Sequence, residues 1–322
     1  MVSSVQRGDT VTDGEVAQAL PWEGSDEAEL AVLAAGQWLG AEVAHWQAQA
    51  QRVEIAHADG HTVVHHWMSA RPNGLAPLVL FHGGSGSWTH WVRSIGPLLQ
   101  AGHAIWAVDL PGFGDSDAPA DVVDADGMLP VLAQVLETLF PFQSVRLVGF
   151  SFGGMTAGML AAAYPHLVQQ LVLVGAPGIG LTSKHPFRLK GWRHLESPRQ
   201  QLLHHVFNLG VLMVYDHRRI DRDMVGLHVA NVRRDSLPRR RISSTDVLLQ
   251  ALPHVSCPVA AIYGACDVLY PDALEEVAAR MAASAPDWRG LQCIPETGHW
   301  VQYENPQAFH AALLPLLASA VA

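Results

Sequence analysis

The chain has 322 residues, 49% of them apolar, and carries 30 acidic residues against 20 Lys and Arg, a formal net charge of −10. That composition supplies a large core and excludes intrinsic disorder, and the negative balance excludes a molecule built for nonspecific nucleic-acid binding. The three cysteines, Cys257, Cys266 and Cys293, are odd in number and form no CxxC pair, which argues against a disulfide framework or a zinc site.

Residues 1–22 are polar and irregular and read as a loose tail with no apolar signal-peptide core. No apolar run reaches the roughly 18 residues of a membrane span, so a cytoplasmic protein with no membrane partner is expected. From Ser25, a plausible N-cap with acidic residues behind it, one helical pattern runs through SDEAELAVLAAGQWLGAEVAHWQAQAQ. RVEIAHADGHTVVHHWMS predicts two strands around the turn Ala58-Asp59-Gly60. LAPLVLFHGG and HAIWAVDL are short apolar runs ending in Gly, Pro or Asp, the pattern of buried strands. MLPVLAQVLETLF is helical, SVRLVGF a strand, GGMTAGMLAAAYP a helix and VQQLVLVGAP a further strand. After a long gap, PVAAIYG is a strand, PDALEEVAARMAA a helix, GLQCIPETG the last strand and NPQAFHAALLPLLAS the last helix.

Buried strands alternating with amphipathic helices predict an α/β fold: a mostly parallel sheet with helices on both faces. Such sheets carry their sites at the carboxyl ends of the strands, where His82-Gly83-Gly84, Asp109–Asp115, Gly149–Gly154 and Gly264–Asp267 fall. The gap interrupts the alternation and is helical and basic, holding 13 of the 20 Lys and Arg residues. It reads as an inserted helical cap. The expected organisation is a tail and extra helix over 1–50, a core over 51–180 and 249–322, and the cap over 181–248. The extra helix is free to pack on the back of the sheet or to join a homodimer contact.

Gly149-Phe150-Ser151-Phe152-Gly153 stands between a predicted strand and a predicted helix. Gly-x-Ser-x-Gly in that setting forces a sharp turn that projects the Ser151 hydroxyl from the sheet edge, beside a helix N-terminus. A serine hydroxyl becomes a nucleophile only when a base takes its proton. His299, in the loop GHWVQYENP after the last strand, is the candidate base, because imidazole titrates near neutral pH. Asp267, in YGACDVLYP, is the candidate acid that orients it. Asp272, the nearest rival, is expected to cap the following helix. The backbone N–H groups of Phe152 and Gly84 are the candidate oxyanion donors, and His82 is expected to be structural. Phe150 and Trp300, beside the nucleophile and the base, are candidate substrate contacts. Phe187, Trp192, Phe207 and Tyr215 either line an apolar pocket or pack the cap. Arg233-Arg234 and Arg239-Arg240-Arg241 read first as a solvated face or as partners of the acidic body, and second as an anion site.

FHGGSGS, DLPGFGDSD, GFSFGG, YGACDVLYP and GHWVQYENP, in this order, resemble the α/β-hydrolase superfamily over about residues 50–180 and 248–320. The resemblance implies an eight-stranded sheet, a helical cap, a triad of Ser151, Asp267 and His299, and oxyanion donors at Gly84 and Phe152. The triad predicts hydrolysis of a carboxylic ester through an acyl-enzyme with no metal or organic cofactor, and Phe150 and Phe152 flanking the nucleophile point to a small, largely apolar substrate. A looser resemblance, to the meta-cleavage-product hydrolases, implies carbon–carbon bond hydrolysis instead. Here the loop reads HGGSGSW without that group's GPG, and the elbow GFSFGG where its members have GNSMGG. A non-catalytic ligand-binding protein on the same fold is the third reading.

Overall fold

The computed structural model describes residues 20–181 and 188–318. Most of the tail expected over 1–22 lies outside these residues, as does Phe187. Eight strands form one sheet: β1 (Gln51–His57), β2 (Gly60–Trp67), β3 (Leu78–Phe81), β4 (Ile105–Val108), β5 (Val145–Phe150), β6 (Val168–Val174), β7 (Val259–Gly264) and β8 (Trp288–Ile294). Their order is β1-β2-β4-β3-β5-β6-β7-β8. β2 runs antiparallel to both neighbours and every other pairing is parallel. The helices are α1 (Glu27–Ala34), α2 (Ala41–Gln49), α3 (Val92–Gln100), α4 (Ala125–Leu139), α5 (Phe152–Ala163), α6 (Pro198–Asn208), α7 (Arg222–Arg233), α8 (Val247–Ala251), α9 (Leu274–Ser284), α10 (Val301–Glu304) and α11 (Pro306–Ala318).

The central strands are apolar at nearly every position because both faces are covered. Val79, Phe81, Leu147, Leu171, Leu173, Ala261 and Tyr263 face one core layer, which α4 and α5 complete. Their neighbours Leu78, Leu80, Val148, Phe150, Val172, Val174 and Ile262 face the other, which α3 and α11 complete. This period-2 division fixes the register, since a slip of one residue would exchange the layers. It also carries the carboxyl ends of β3, β5 and β7 to one edge.

Two local expectations differ from the structure, and one helix is unanticipated. The N-terminal pattern is two helices, because Gly36 adopts φ 70 and ends the first turns of chain that begin at Asp26, whose side chain accepts from Glu29 N. Ser25 is therefore not the cap. α3 carries no advance signal, its interior being broken by Gly96 and Pro97. Asp272 caps nothing: it lies in a left-handed turn at φ 57, and α9 starts two residues later without a side-chain cap.

Between β6 and β7 the chain forms α6, α7 and α8, the helical insertion expected. α1 packs on α6 and α7, and α2 on α3, rather than on the back of the sheet. The Trp38 indole donates to Asp223 Oδ1 at 2.9 Å, Arg233 Nε donates to Ala34 O at 2.7 Å, and the Trp67 indole donates to Trp46 O at 2.9 Å. No helix among the described residues is long and apolar enough to cross a membrane.

Several histidines are packed away from water as neutral rings. Burial pushes His82, His103 and His310 down to about 4 and His205 down to about 2, with Arg146 adding to the effect at His103 and nearby His and Arg side chains at His205. Unfolded, each would titrate near 6.5. The unfolded chain therefore binds more protons between about pH 6.5 and pH 4, and stability falls as pH drops through that window, by up to about 1.4 kcal/mol per pH unit for each imidazole kept neutral. Urea unfolding across pH 7.5 to 4.5 is expected to give a falling midpoint that begins above the carboxylate range; a flat midpoint down to about pH 5 would contradict this.

Candidate active site

β5 ends at Phe150 and α5 begins at Phe152, leaving Ser151 alone at φ 51, ψ −122. A side chain rarely adopts that conformation; here Ser151 N donates to Val174 O at 2.7 Å, and Gly154 N and Met155 N donate back to Ser151 O. The flanking glycines are steric necessities. A Cβ on Gly149 would come within 2.4 Å of Gly153 O, and one on Gly153 within 2.2 Å of His82 O.

The structure brings Ser151, His299 and Asp267 together. His299 Nε2 lies 2.8 Å from Ser151 Oγ, and His299 Nδ1 lies 2.8 Å from Asp267 Oδ2. Asp267 is buried, and its other oxygen accepts from Leu269 N at 3.0 Å. With Nδ1–H donated to the carboxylate, Nε2 is left to accept the serine proton. Gly175, at φ 55, floors the pair: a Cβ there would lie 3.2 Å from the His299 ring and 3.4 Å from Asp267 Oδ2.

Glu304, the last residue of α10, which follows the His299 loop, has a role the sequence did not disclose. Its buried carboxylate accepts from Gly298 N at 2.6 Å, Tyr215 N at 3.0 Å and Asp216 N at 2.9 Å, tying the histidine loop to the β6–β7 connection.

Gly84 and Phe152 face one another across the site: a Cβ on Gly84 would lie 3.6 Å from Phe152 Cβ. Below them His82 pins the loop. Its Nε2 accepts from Leu110 N at 2.9 Å, so its Nδ1 donates to Gly83 O at 2.7 Å. Gly83 N in turn donates to His90 Nδ1 at 3.2 Å, and burial holds His90 well below the usual imidazole range. Both rings are therefore neutral at physiological pH.

Ser151 and His299 open into a cavity of about 460 Å³ walled by Phe150, Leu181, Leu212, Met213, Leu269 and Tyr270. A second cavity of about 470 Å³ adjoins it, sharing Gly84, Ser85 and Met213 and lined further by Trp192, Asn208 and His228. Phe150 thus reaches the cavity wall, although its ring is buried between His90 and His299. Trp300 does not. It is fully buried, stacked on Tyr303 with centroids 4.3 Å apart, and its indole donates to His90 O, so it packs beneath the site. Tyr215 is 45% exposed and Phe207 lies under Lys190, and neither lines either of these two cavities. The arginine run also departs from expectation. Arg234 pairs with Asp115 of the body at 2.7 Å, but Arg240 is no solvated residue: it lines the first cavity and is paired with Asp235 of its own segment.

Comparison with known proteins adds to this geometry. The profile of a family described as alpha/beta hydrolase fold matches residues 76–195. The chain is 30% identical over 257 residues to a 2-hydroxy-6-oxononadienedioate/2-hydroxy-6-oxononatrienedioate hydrolase of Burkholderia vietnamiensis, covering 76% of this chain and 88% of that one. It is 28% identical over 260 residues to a 2-hydroxy-6-oxo-6-phenylhexa-2,4-dienoate hydrolase of Burkholderia cepacia, covering 75% and 87%. Among solved structures, a carboxylesterase from Bacillus subtilis superposes with a TM-score of 0.70 at 16% identity, covering 92% of this chain and 99% of that one.

Proposed function

Because this chain belongs to the α/β-hydrolase family and is a hydrolase of that fold, we propose that it cleaves a small, largely apolar carboxylic ester, with Ser151 as nucleophile, His299 as general base and Asp267 as its orienting acid. The observation that carries the proposal is the unbroken hydrogen-bond chain from Asp267 through His299 to Ser151 Oγ, which ends in an apolar-walled cavity. His299 takes the hydroxyl proton as Oγ attacks the ester carbonyl. The N–H groups of Phe152 and Gly84 receive the oxyanion, each contributing about 3–4 kcal/mol in the transition state. His299 then returns the proton to the departing alkoxide, and a water deprotonated by the same imidazole hydrolyses the acyl-enzyme. Two features favour an uncharged acyl group. Phe150 puts an aromatic ring beside the nucleophile, and Arg240, the only Lys or Arg among the described residues of the first cavity wall, is already paired with Asp235.

The second reading is hydrolysis of a carbon–carbon bond in a dienol-diketone acid, favoured by the names of the Burkholderia relatives. One experiment separates the two. Wild type and Ser151→Ala are treated with a fluorophosphonate and weighed intact, then assayed on aryl esters of rising chain length and on a coloured dienol-diketone acid. Labelling confined to wild type, with esters turned over faster than the acid, is the expected result. Preference for the acid would replace the ester reading with the second. An unlabelled, inactive but folded wild type would sink both and leave ligand binding.

A further inference from the structure

The loop that supplies Gly84 continues into Ser85, a non-glycine residue held in the left-handed region at φ 50. An L-residue leaves that conformation unless something holds it there. The hold comes from outside the loop. Ser85 Oγ donates to Asp235 Oδ2, a residue of the β6–β7 connection, in a short hydrogen bond. Asp235 is itself fixed: it accepts from Leu237 N at 2.9 Å and from both Arg240 Nη atoms, at 2.7 and 2.9 Å. The pair is nearly buried, with side-chain exposures of 16% for Arg240 and 10% for Asp235. Burial alone would raise the Asp235 carboxyl, but the Arg240 hydrogen bonds and charge, with Ser85 and Leu237 N, outweigh it and hold the group below its ordinary range. The guanidinium lies over the rings of Phe113, 4.7 Å from the centroid, and Phe152, 5.3 Å from it. A Cβ on Gly84 would sit 3.6 Å from Arg240 Nη2. One nearly buried ion pair therefore touches the residues on both sides of the oxyanion site. The segment around it is stitched to the body by Ser236 on Gly112 O and by Arg241 N and Ile242 N on Asp124.

We propose that Asp235 and Arg240 are positioning residues that lock Ser85 in its left-handed conformation and so hold the Gly84 backbone against Phe152 for oxyanion binding. The inference rests on the reading of Ser151 as nucleophile. Its consequence is kinetic: the oxyanion is absent from the bound ester and develops only in the tetrahedral intermediate and its flanking transition states, so loosening the loop lowers kcat and leaves KM nearly unchanged.

The test compares Ser85→Ala, Ser85→Gly and Asp235→Asn with wild type in the full chain, reading kcat and KM on one aryl ester, the rate of fluorophosphonate labelling, and melting temperature. Ser85→Ala and Asp235→Asn are expected to lose at least about tenfold in kcat and in labelling rate, with KM within about twofold. Ser85→Gly, which lacks the hydroxyl but adopts positive φ without strain, is expected to recover most of the loss. Wild-type kcat in Ser85→Ala and Asp235→Asn, or a change confined to KM or melting temperature, overturns the inference while the nucleophile assignment stands. Equal losses in Ser85→Ala and Ser85→Gly would assign the effect to the hydroxyl and also overturn it. A wild type that neither labels nor turns over removes the underlying reading, and the inference with it.

Discussion

Asp267→Asn is expected to lower turnover by about 10⁴-fold while the protein stays folded. The carboxylate accepts on both sides, from His299 Nδ1 and from Leu269 N. An asparagine keeps its carbonyl oxygen on the Leu269 N–H and turns its NH₂ towards His299. Nδ1 must then accept, so the proton moves to Nε2, the atom that has to take the Ser151 proton. The ring stays in place in the wrong tautomer. Removing the nucleophile itself, in Ser151→Ala, sets the floor, on the order of 10⁶-fold down. The measurement is kcat of both variants on one activated ester, with melting temperature as the control. Near wild-type turnover in Asp267→Asn would remove Asp267 from the machinery.

Glu304→Ala is expected to cost about 2–4 kcal/mol of stability, because the buried Gly298 N–H loses its acceptor at about 1–3 kcal/mol and the part-buried N–H groups of Tyr215 and Asp216 lose theirs at less, since water reaches them. Activity should fall further than stability predicts. Gly298 immediately precedes His299, and its N–H is one of the three donors; Tyr215 and Asp216, the others, belong to the connection that passes over the cavity. Glu304→Gln keeps the shape and two acceptor sites, so it should recover much of the stability. It presents an amide NH₂ to at least one N–H, so the histidine loop shifts and kcat stays low. Urea unfolding and steady-state kinetics of the two variants test this. Equal effects of both variants on stability and on kcat would mean that the carboxylate only fills space.

How much of this was legible beforehand followed the range of the interactions. The Ser151 turn, the hairpin at Gly60 and the Ser, Asp and His loops at the strand ends are local: a strand, a punctuating glycine and a polar residue sit within a few positions of one another. The single N-terminal helix failed because its break depends on one left-handed glycine, Gly36, which propensity alone does not locate. α3 was silent because Gly96 and Pro97 disguise a helix whose apolar side is buried. Trp300 sits next to His299 in sequence, yet its ring packs downward against Tyr303, and adjacency carries no direction. Asp235 reaches Ser85, and Glu304 reaches Tyr215 and Asp216, across distant stretches of chain, and Arg240 acts through Asp235. In Arg240 the basic composition of the segment pointed the wrong way, towards solvent. The one available hint for Glu304 was a carboxylate embedded in a run, WVQYENP, whose neighbours are otherwise packing residues.

The two N-terminal helices have a consequence for traffic. α1 rides on α6 and α7 while α2 rides on α3; Leu30 and Leu33 are buried in the first contact, and Trp38 is wedged where a Cβ on Gly226 would come within 2.3 Å of its ring. Swinging the roof of the chamber outward would tear that seam and wet its apolar faces, at about 25 cal/mol for every Å² exposed. Opening the chamber by moving α6 and α7 away from the body would therefore carry that cost on top of the loss of their own contacts.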